Sequence, residues 1–398
     1  MSVRLAFVAR WISLLMLVPS PAEAQTPALS DSARVSLLTI LPGDAVYAEF
    51  GHSAFRVMDP ERGIDRVYNY GTFDFRDPWF IPKFVYGQLD YMLSVTTHAR
   101  ALRHYQRQRR PVIEQRLRLT RAEERELFRF LEINARPENR TYRYDFLFDN
   151  CSTRLRDALK TVMGDALVFA PRPDPQKSFR HLLDIYVADR PMLDLGFDLA
   201  LGQRADRVAS PWETMFLPDY LMAAFDHATV TPNGTERSLV TRTDTLYWID
   251  SYAGKTRTFD WPTPLVWLLF AGGLGLTGWN GARNAATGQR LDGVLFIVAG
   301  MAGILMLFLW FVAEHTVTNQ NWNLLWAWPT HLWAASALLG SASGRRGLRY
   351  YLLATAATCI FVAAGWAVWP QDLHAAVLPF VLLIGMRSGW HAYRLRTS

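Results

Sequence analysis

Apolar and polar residues are distributed in two different ways along this 398-residue chain. From residue 25 to 260 short apolar runs alternate with charged and turn-forming stretches, the pattern of a folded domain with a sizeable core. From Trp261 onward the chain is almost uncharged apart from short clusters. Five apolar stretches there, about 263–280, 291–313, 322–340, 350–369 and 373–390, each approach the length of a bilayer-crossing helix.

Within the first region the pattern is mixed α+β. Val35 to Ile40 is β-branched and apolar, and Pro42-Gly43-Asp44 ends it. Ala54 to Met58 and Arg66 to Tyr70 read as two strands joined through the turn-rich run Asp59-Pro60-Glu61-Arg62-Gly63, a hairpin. Tyr91 to Val95 and Val112 to Leu119 are further strands. Thr120 with Glu123 forms a capping box for a helix through about Ile133. Asp149 or Asn150 caps a helix from Ser152 to Met163, with Leu155, Leu159 and Val162 on one face and Gly164 as its stop. From Ser178 to about His227 the pattern is mainly helical, with Pro211 at a helix start and Pro218 as an interruption.

Charge fixes the orientation of the second region. Arg283 and Arg290 follow the first apolar stretch, Arg345, Arg346 and Arg349 the third, and Arg387, Arg394 and Arg396 the fifth. The turns at 314–321 and 370–372 carry no Lys or Arg, so the first, third and final connections face the cytoplasm and the first region faces outside. A leader agrees: Arg4 and Arg10, the apolar run Trp11 to Val18, and Ala22-Glu23-Ala24 read as a signal peptide over 1–24, too short in its apolar run for an anchor. No cysteine follows the cleavage site, so the chain is not itself a lipoprotein of the signal-cysteine type. The expected division is thus 1–24 leader, 25–260 exported domain and 261–398 membrane domain. The net charge of +6 is exceeded by the cytoplasmic arginines alone, which leaves the exported domain near neutral and gives no argument for nucleic acid. Arg100, Arg103, Arg107, Arg109, Arg110, Arg116 and Arg118 do cluster, either as a stripe for anionic headgroups or as a solvated helix and strand edge.

The candidate chemistry rests on one thiol. Of the two cysteines, Cys359 lies in a membrane stretch, so Cys151 is a free thiol in an oxidising compartment. At the first turn of a helix, the dipole and unpaired N–H groups favour thiolate and can receive an oxyanion. His52, after Gly51 and just before the first hairpin strand, is the candidate base, because the other exported histidines sit among charged surface positions. Asn69 on the neighbouring strand would orient its imidazole, with Asp74 as the rival. Taken singly, each residue is more often structural: a histidine near a strand, a buried cysteine at a helix start. One cysteine and scattered histidines give no zinc-type ligand spacing, and no cofactor is expected.

Several blocks occur in an order that resembles a known family. Pro42-Gly43-Asp44, Phe50-Gly51-His52-Ser53-Ala54, Tyr68-Asn69-Tyr70-Gly71-Thr72-Phe73-Asp74-Phe75, Leu89-Asp90-Tyr91-Met92-Leu93-Ser94-Val95 and Tyr142 through Arg154 are similar to the N-terminal periplasmic domain of the Lnb-type lipoprotein N-acyltransferases. The order of His before Cys further resembles permuted papain-like enzymes. The resemblance implies an α+β, permuted papain-like periplasmic domain followed by an all-α bundle of about five spans in a bacterial inner membrane. It also implies transfer of an acyl chain from a phospholipid, through a Cys151 thioester, to the α-amine of a diacylated lipoprotein. Cys151, His52 and Asn69 would be catalytic, and Asn150, Arg154, Asp74 and His315 would touch substrate. Glu314, Asn319 and His374 share the outside turns with His315, and Trp322, Trp326 and Trp328 would form an interfacial belt. Two readings stay open beside it: a papain-like peptidase or amidase of the envelope, and a non-enzymatic scaffold in which Cys151 is merely buried.

Overall fold

A computed structural model describes residues 28–73, 76–88, 90–170, 176–231, 235–283, 288–340 and 345–397. The leader and Asp74 lie outside these. In chain order the first region runs β1 (Arg34–Ile40), β2 (His52–Asp59), β3 (Ile64–Thr72), α1 (Phe80–Tyr86), β4 (Asp90–Thr97), α2 (His98–Arg107), β5 (Val112–Leu117), α3 (Arg121–Asn134), β6 (Thr141–Arg143) and α4 (Cys151–Met163). It continues through β7 (Leu167–Val168), α5 (Phe179–Val187), α6 (Pro191–Ala200), α7 (Pro211–Thr214), α8 (Pro218–His227), β8 (Thr229–Val230), β9 (Arg237–Ser238) and β10 (Val240–Tyr247).

The main sheet has the order β10-β5-β1-β2-β3-β4-β6, and every neighbouring pair is antiparallel. Its interior strand β1 is buried from Val35 to Ile40, which is why apolar residues fall on both of its faces there and do not alternate with charged ones. Val35 and Leu37 pack on one side with Leu155 and Leu159 of α4, whereas Leu38 and Ile40 pack on the other with Ala101 and Tyr105 of α2. The sheet is therefore covered on both faces. The β2–β3 hairpin forms as expected, with Gly63 left-handed (φ +63°) at its turn. The Thr120–Glu123 capping box opens α3, and Asn150 caps α4. Pro218 does not interrupt a helix; it takes the first position of α8, where its missing N–H is not needed. The arginine cluster is divided among α2 (Arg100, Arg103, Arg107), β5 (Arg116) and the segments that follow each (Arg109, Arg110, Arg118), and Arg110 is buried with Nε donating to the Leu41 carbonyl at 2.9 Å.

Beyond Trp261 come α9 (Pro262–Arg283), α10 (Gln289–Phe311), α11 (His331–Leu339), α12 (Arg345–Ala364) and α13 (Val377–Thr397). Three of these, over Pro262–Ala282, Gln289–Phe311 and Arg346–Ala364, are long and apolar enough to cross a membrane. The stretch expected at 322–340 is not one helix: Trp322–Leu325 is a 3-10 turn, and only His331–Leu339 is α-helical. Its non-helical part lies against α10, where Gly303 has no side chain to block the Ala327 carbonyl, and so is buried in protein. The last helix begins later than its apolar stretch and includes Arg387, Arg394 and Arg396.

The outer turns of this bundle are hydrogen-bonded to the sheet domain. Gly202 N donates to Val317 O (2.9 Å), Asn321 Nδ2 to Leu199 O (2.7 Å) and Gln371 Nε2 to Leu201 O (3.0 Å). Nearer the candidate site, Thr316 Oγ1 donates to Asp145 Oδ2 (2.9 Å), and Glu314 N to Tyr86 O (2.8 Å).

Candidate active site

His52 opens β2, and Gly51 before it is what lets the chain turn in close. Gly51 has φ +79°, and a Cβ there would stand 2.9 Å from the Ile40 carbonyl. His52 and Asn69 have the strand parity of Ala54 and Val67, whose side chains pack with α2. Across the hairpin His52 Nε2 donates to Asn69 Oδ1 at 3.3 Å. Tyr105 of α2 donates its hydroxyl to the same Asn69 oxygen at 3.2 Å, so two donors hold the amide with Oδ1 toward the imidazole. Burial pushes the Tyr105 phenol up to about 12, against the pull of Arg110, and keeps it a donor at neutral pH.

Cys151 reaches the same place from the other side, as the first residue of α4. Beside it, β3 carries an irregularity between Asn69 and Thr72, where Gly71 (φ +82°) passes the helix start. A Cβ on Gly71 would lie 3.5 Å from Cys151 Cβ and 3.6 Å from Tyr144 Cε2. Cys151 is only partly buried. Burial raises its thiol pKa, but the charge and hydrogen bond of His52, the Ser53 N–H and the Ser152 hydroxyl outweigh this and hold it below the usual cysteine range. Ser152 Oγ in turn donates to Ser53 Oγ at 3.1 Å, joining α4 to β2 directly after His52. Burial, then the charge on Cys151, drives the Tyr144 phenol well above its ordinary range.

The helix start is not left as open as the sequence suggests. Asn150 Oδ1 accepts from Ser152 N (2.8 Å) and Thr153 N (3.0 Å), and its Nδ2 donates to Phe146 O (2.7 Å) and Phe216 O (2.9 Å). Two first-turn donors, the N–H groups of Ser152 and Thr153, are thus spent on the cap.

The residues expected at one site are brought together only in part. Cys151, His52 and Asn69 converge. Asn150 is buried and acts through the cap. Arg154 pairs with Asp149 through Nε and Nη2 and stacks at 4.0 Å over the Tyr142 ring, lining a cleft of about 370 Å³ between α3 and α4 with Phe130, Asn134 and Phe148. His315 is on an outer turn, its Nε2 donating to Phe84 O at 3.0 Å. Sequence reasoning missed Tyr105, Ser53, Ser152 and the Tyr142–Tyr144 pair. The run Tyr142-Arg143-Tyr144 ahead of Cys151 was the available signal for the last.

Models of two protein-domain families match the chain: the Lnb N-terminal periplasmic domain over residues 23–184 and the Lnb transmembrane domain over 255–398. No curated protein and no solved structure matches.

Proposed function

The chain belongs to the Lnb family, a family of membrane lipoprotein N-acyltransferases, and on that footing we propose that it is a thiol acyltransferase with Cys151 as nucleophile, His52 as acid and base, and Asn69 as the residue that positions His52. The observation that carries this reading is the convergence of a thiol with lowered pKa, an imidazole and an amide oxygen at one strand end. His52 opening β2 and Cys151 opening α4 support the permuted papain-like reading.

In the first half-reaction the Cys151 thiolate attacks an ester carbonyl of a phospholipid. The new C–S bond forms as the C–O bond breaks, and the departing lysophospholipid oxygen takes the proton that His52 holds. The Cys151 N–H meets the oxyanion of the tetrahedral intermediate. In the second half the α-amine of a diacylated lipoprotein attacks the thioester, the C–S bond breaks, and the proton of the amine passes to His52. Thiolate and imidazolium are restored, so neither redox change nor further reactant is needed. We take the remaining two crossings of an inner-membrane bundle to be the 322–339 segment and α13. Arg290, Arg345, Arg346 and Arg349 on the cytoplasmic side leave the sheet domain in the periplasm, beside both lipid substrates. The leader over 1–24, the domain over 25–260 and the membrane domain over 261–398 belong to this proposal.

The test is acceptor choice. Purified full-length protein with phospholipid and a diacylated lipopeptide bearing a free α-amine yields an N-acyl product, and the N-acetylated lipopeptide yields none. Cleavage of envelope peptides without any N-acyl product would establish the peptidase reading instead.

A further inference from the structure

Helix α1 is short and none of its residues is buried, yet it is apolar: with the preceding Trp79, its residues Ile81, Phe84 and Val85 are 66 %, 65 %, 48 % and 37 % exposed. A contiguous apolar face of this kind marks a surface that is covered in use. Its position says by what. Tyr86 packs its ring against Phe308 of the membrane helix α10 at 6.2 Å, and its carbonyl accepts from Glu314 N. Gly87 (φ +87°) comes so close to the outer turn that a Cβ would stand 3.0 Å from His315 N. The exposed face therefore continues the apolar surface at the outer end of α10, where Phe311 is 71 % exposed. Lys83, paired with Asp77 at 2.6 Å, supplies the cation that sits at headgroup level in such helices.

From α1 a line of rings leads inward. Phe80 stacks on Phe73 (5.2 Å between centroids), Phe73 on Tyr91 (4.9 Å) and Tyr91 on Tyr144 (4.3 Å), and Tyr144 borders the gap at Gly71 that Cys151 also borders. We propose that α1 inserts into the membrane leaflet at the outer end of α10, and that the ring line Phe80–Phe73–Tyr91–Tyr144 is the wall along which a lipid acyl chain reaches Cys151. The insertion stands by itself; the acyl route rests on the thioester reading above.

Two measurements separate these. Full-length protein carrying benzoyl-phenylalanine at Ile81 is irradiated in vesicles of phosphatidylethanolamine and phosphatidylglycerol, with the label at the exposed Arg125 of α3 as control. A phospholipid adduct at 81 and none at 125 is expected; no lipid adduct at 81, or an adduct only to a second copy of the chain, overturns the insertion. Second, Ile81→Asp is expected to lower the ratio of Cys151 acylation by vesicle phospholipid to acylation by water-soluble p-nitrophenyl butyrate by about ten-fold or more, the effect of losing one buried isoleucine. An unchanged ratio overturns the route. If neither ester acylates Cys151 in the natural chain, the thioester reading fails while the cross-link still decides α1.

Discussion

Cys151 stands between opposed influences: burial favours the thiol, while His52, the Ser53 N–H and the Ser152 hydroxyl favour the thiolate and prevail. Alkylation by iodoacetamide is therefore expected to titrate with a midpoint below that of an ordinary exposed cysteine, and His52→Ala is expected to raise that midpoint. A natural-chain midpoint at or above the ordinary value contradicts the pairing. Asn69 acts through His52, so Asn69→Ala is expected to lower kcat by about ten-fold or more with little change in KM. Tyr105→Phe removes only one of the two donors that fix the amide, a loss of about 1 kcal/mol or roughly five-fold in kcat. Of these residues, His52 and Asn69 were legible because a short turn must place their strands side by side. Tyr105 was not, since an aromatic at helical spacing reads as core, and α2 does pack there as core.

Among the elements, α4 depends most on a single side chain. Asn150 caps the helix and ties two carbonyls from separate segments, so Asn150→Ala is expected to cost about 2–3 kcal/mol, from the lost cap and the orphaned acceptors. The thermal midpoint of the full chain in detergent then falls by roughly 2–5 °C; an unchanged midpoint would show that the cap is dispensable. A second element carries a pH dependence. Burial, then Asp198 and Asp194, push the Asp184 carboxyl of α5 up to about 8. The folded state thus prefers the protonated form, and its contribution is complete below about 3.9 and is lost as pH rises through about 8. Asp184→Asn is expected to raise the thermal midpoint more at pH 9 than at pH 6, and an equal gain at both would contradict the assignment. The cap was readable from Asn150 before an apolar-periodic run. The acidic group around Asp184 was not, because α5 and α6 meet only through tertiary packing.

For the whole molecule, the sheet domain and the helical region are joined at the very segments that lead to the candidate site. Thr316 holds Asp145, and Asp145 and Asp149 exchange backbone hydrogen bonds just ahead of Cys151. The division into an outside domain and a membrane region was legible from hydropathy and arginine placement alone. The course of 322–340 was not, because a window of apolar residues cannot distinguish a spanning helix from a turn and short helix buried against Gly300 and Gly303 of α10. The central claim, an acyl thioester on Cys151, is tested most directly by intact-mass measurement of the full-length protein incubated with isotopically labelled phospholipid, beside Cys151→Ala. A labelled fatty-acyl adduct that hydroxylamine removes and the variant lacks is the predicted result; no adduct on a folded chain whose Cys151 is still alkylated by iodoacetamide would contradict it.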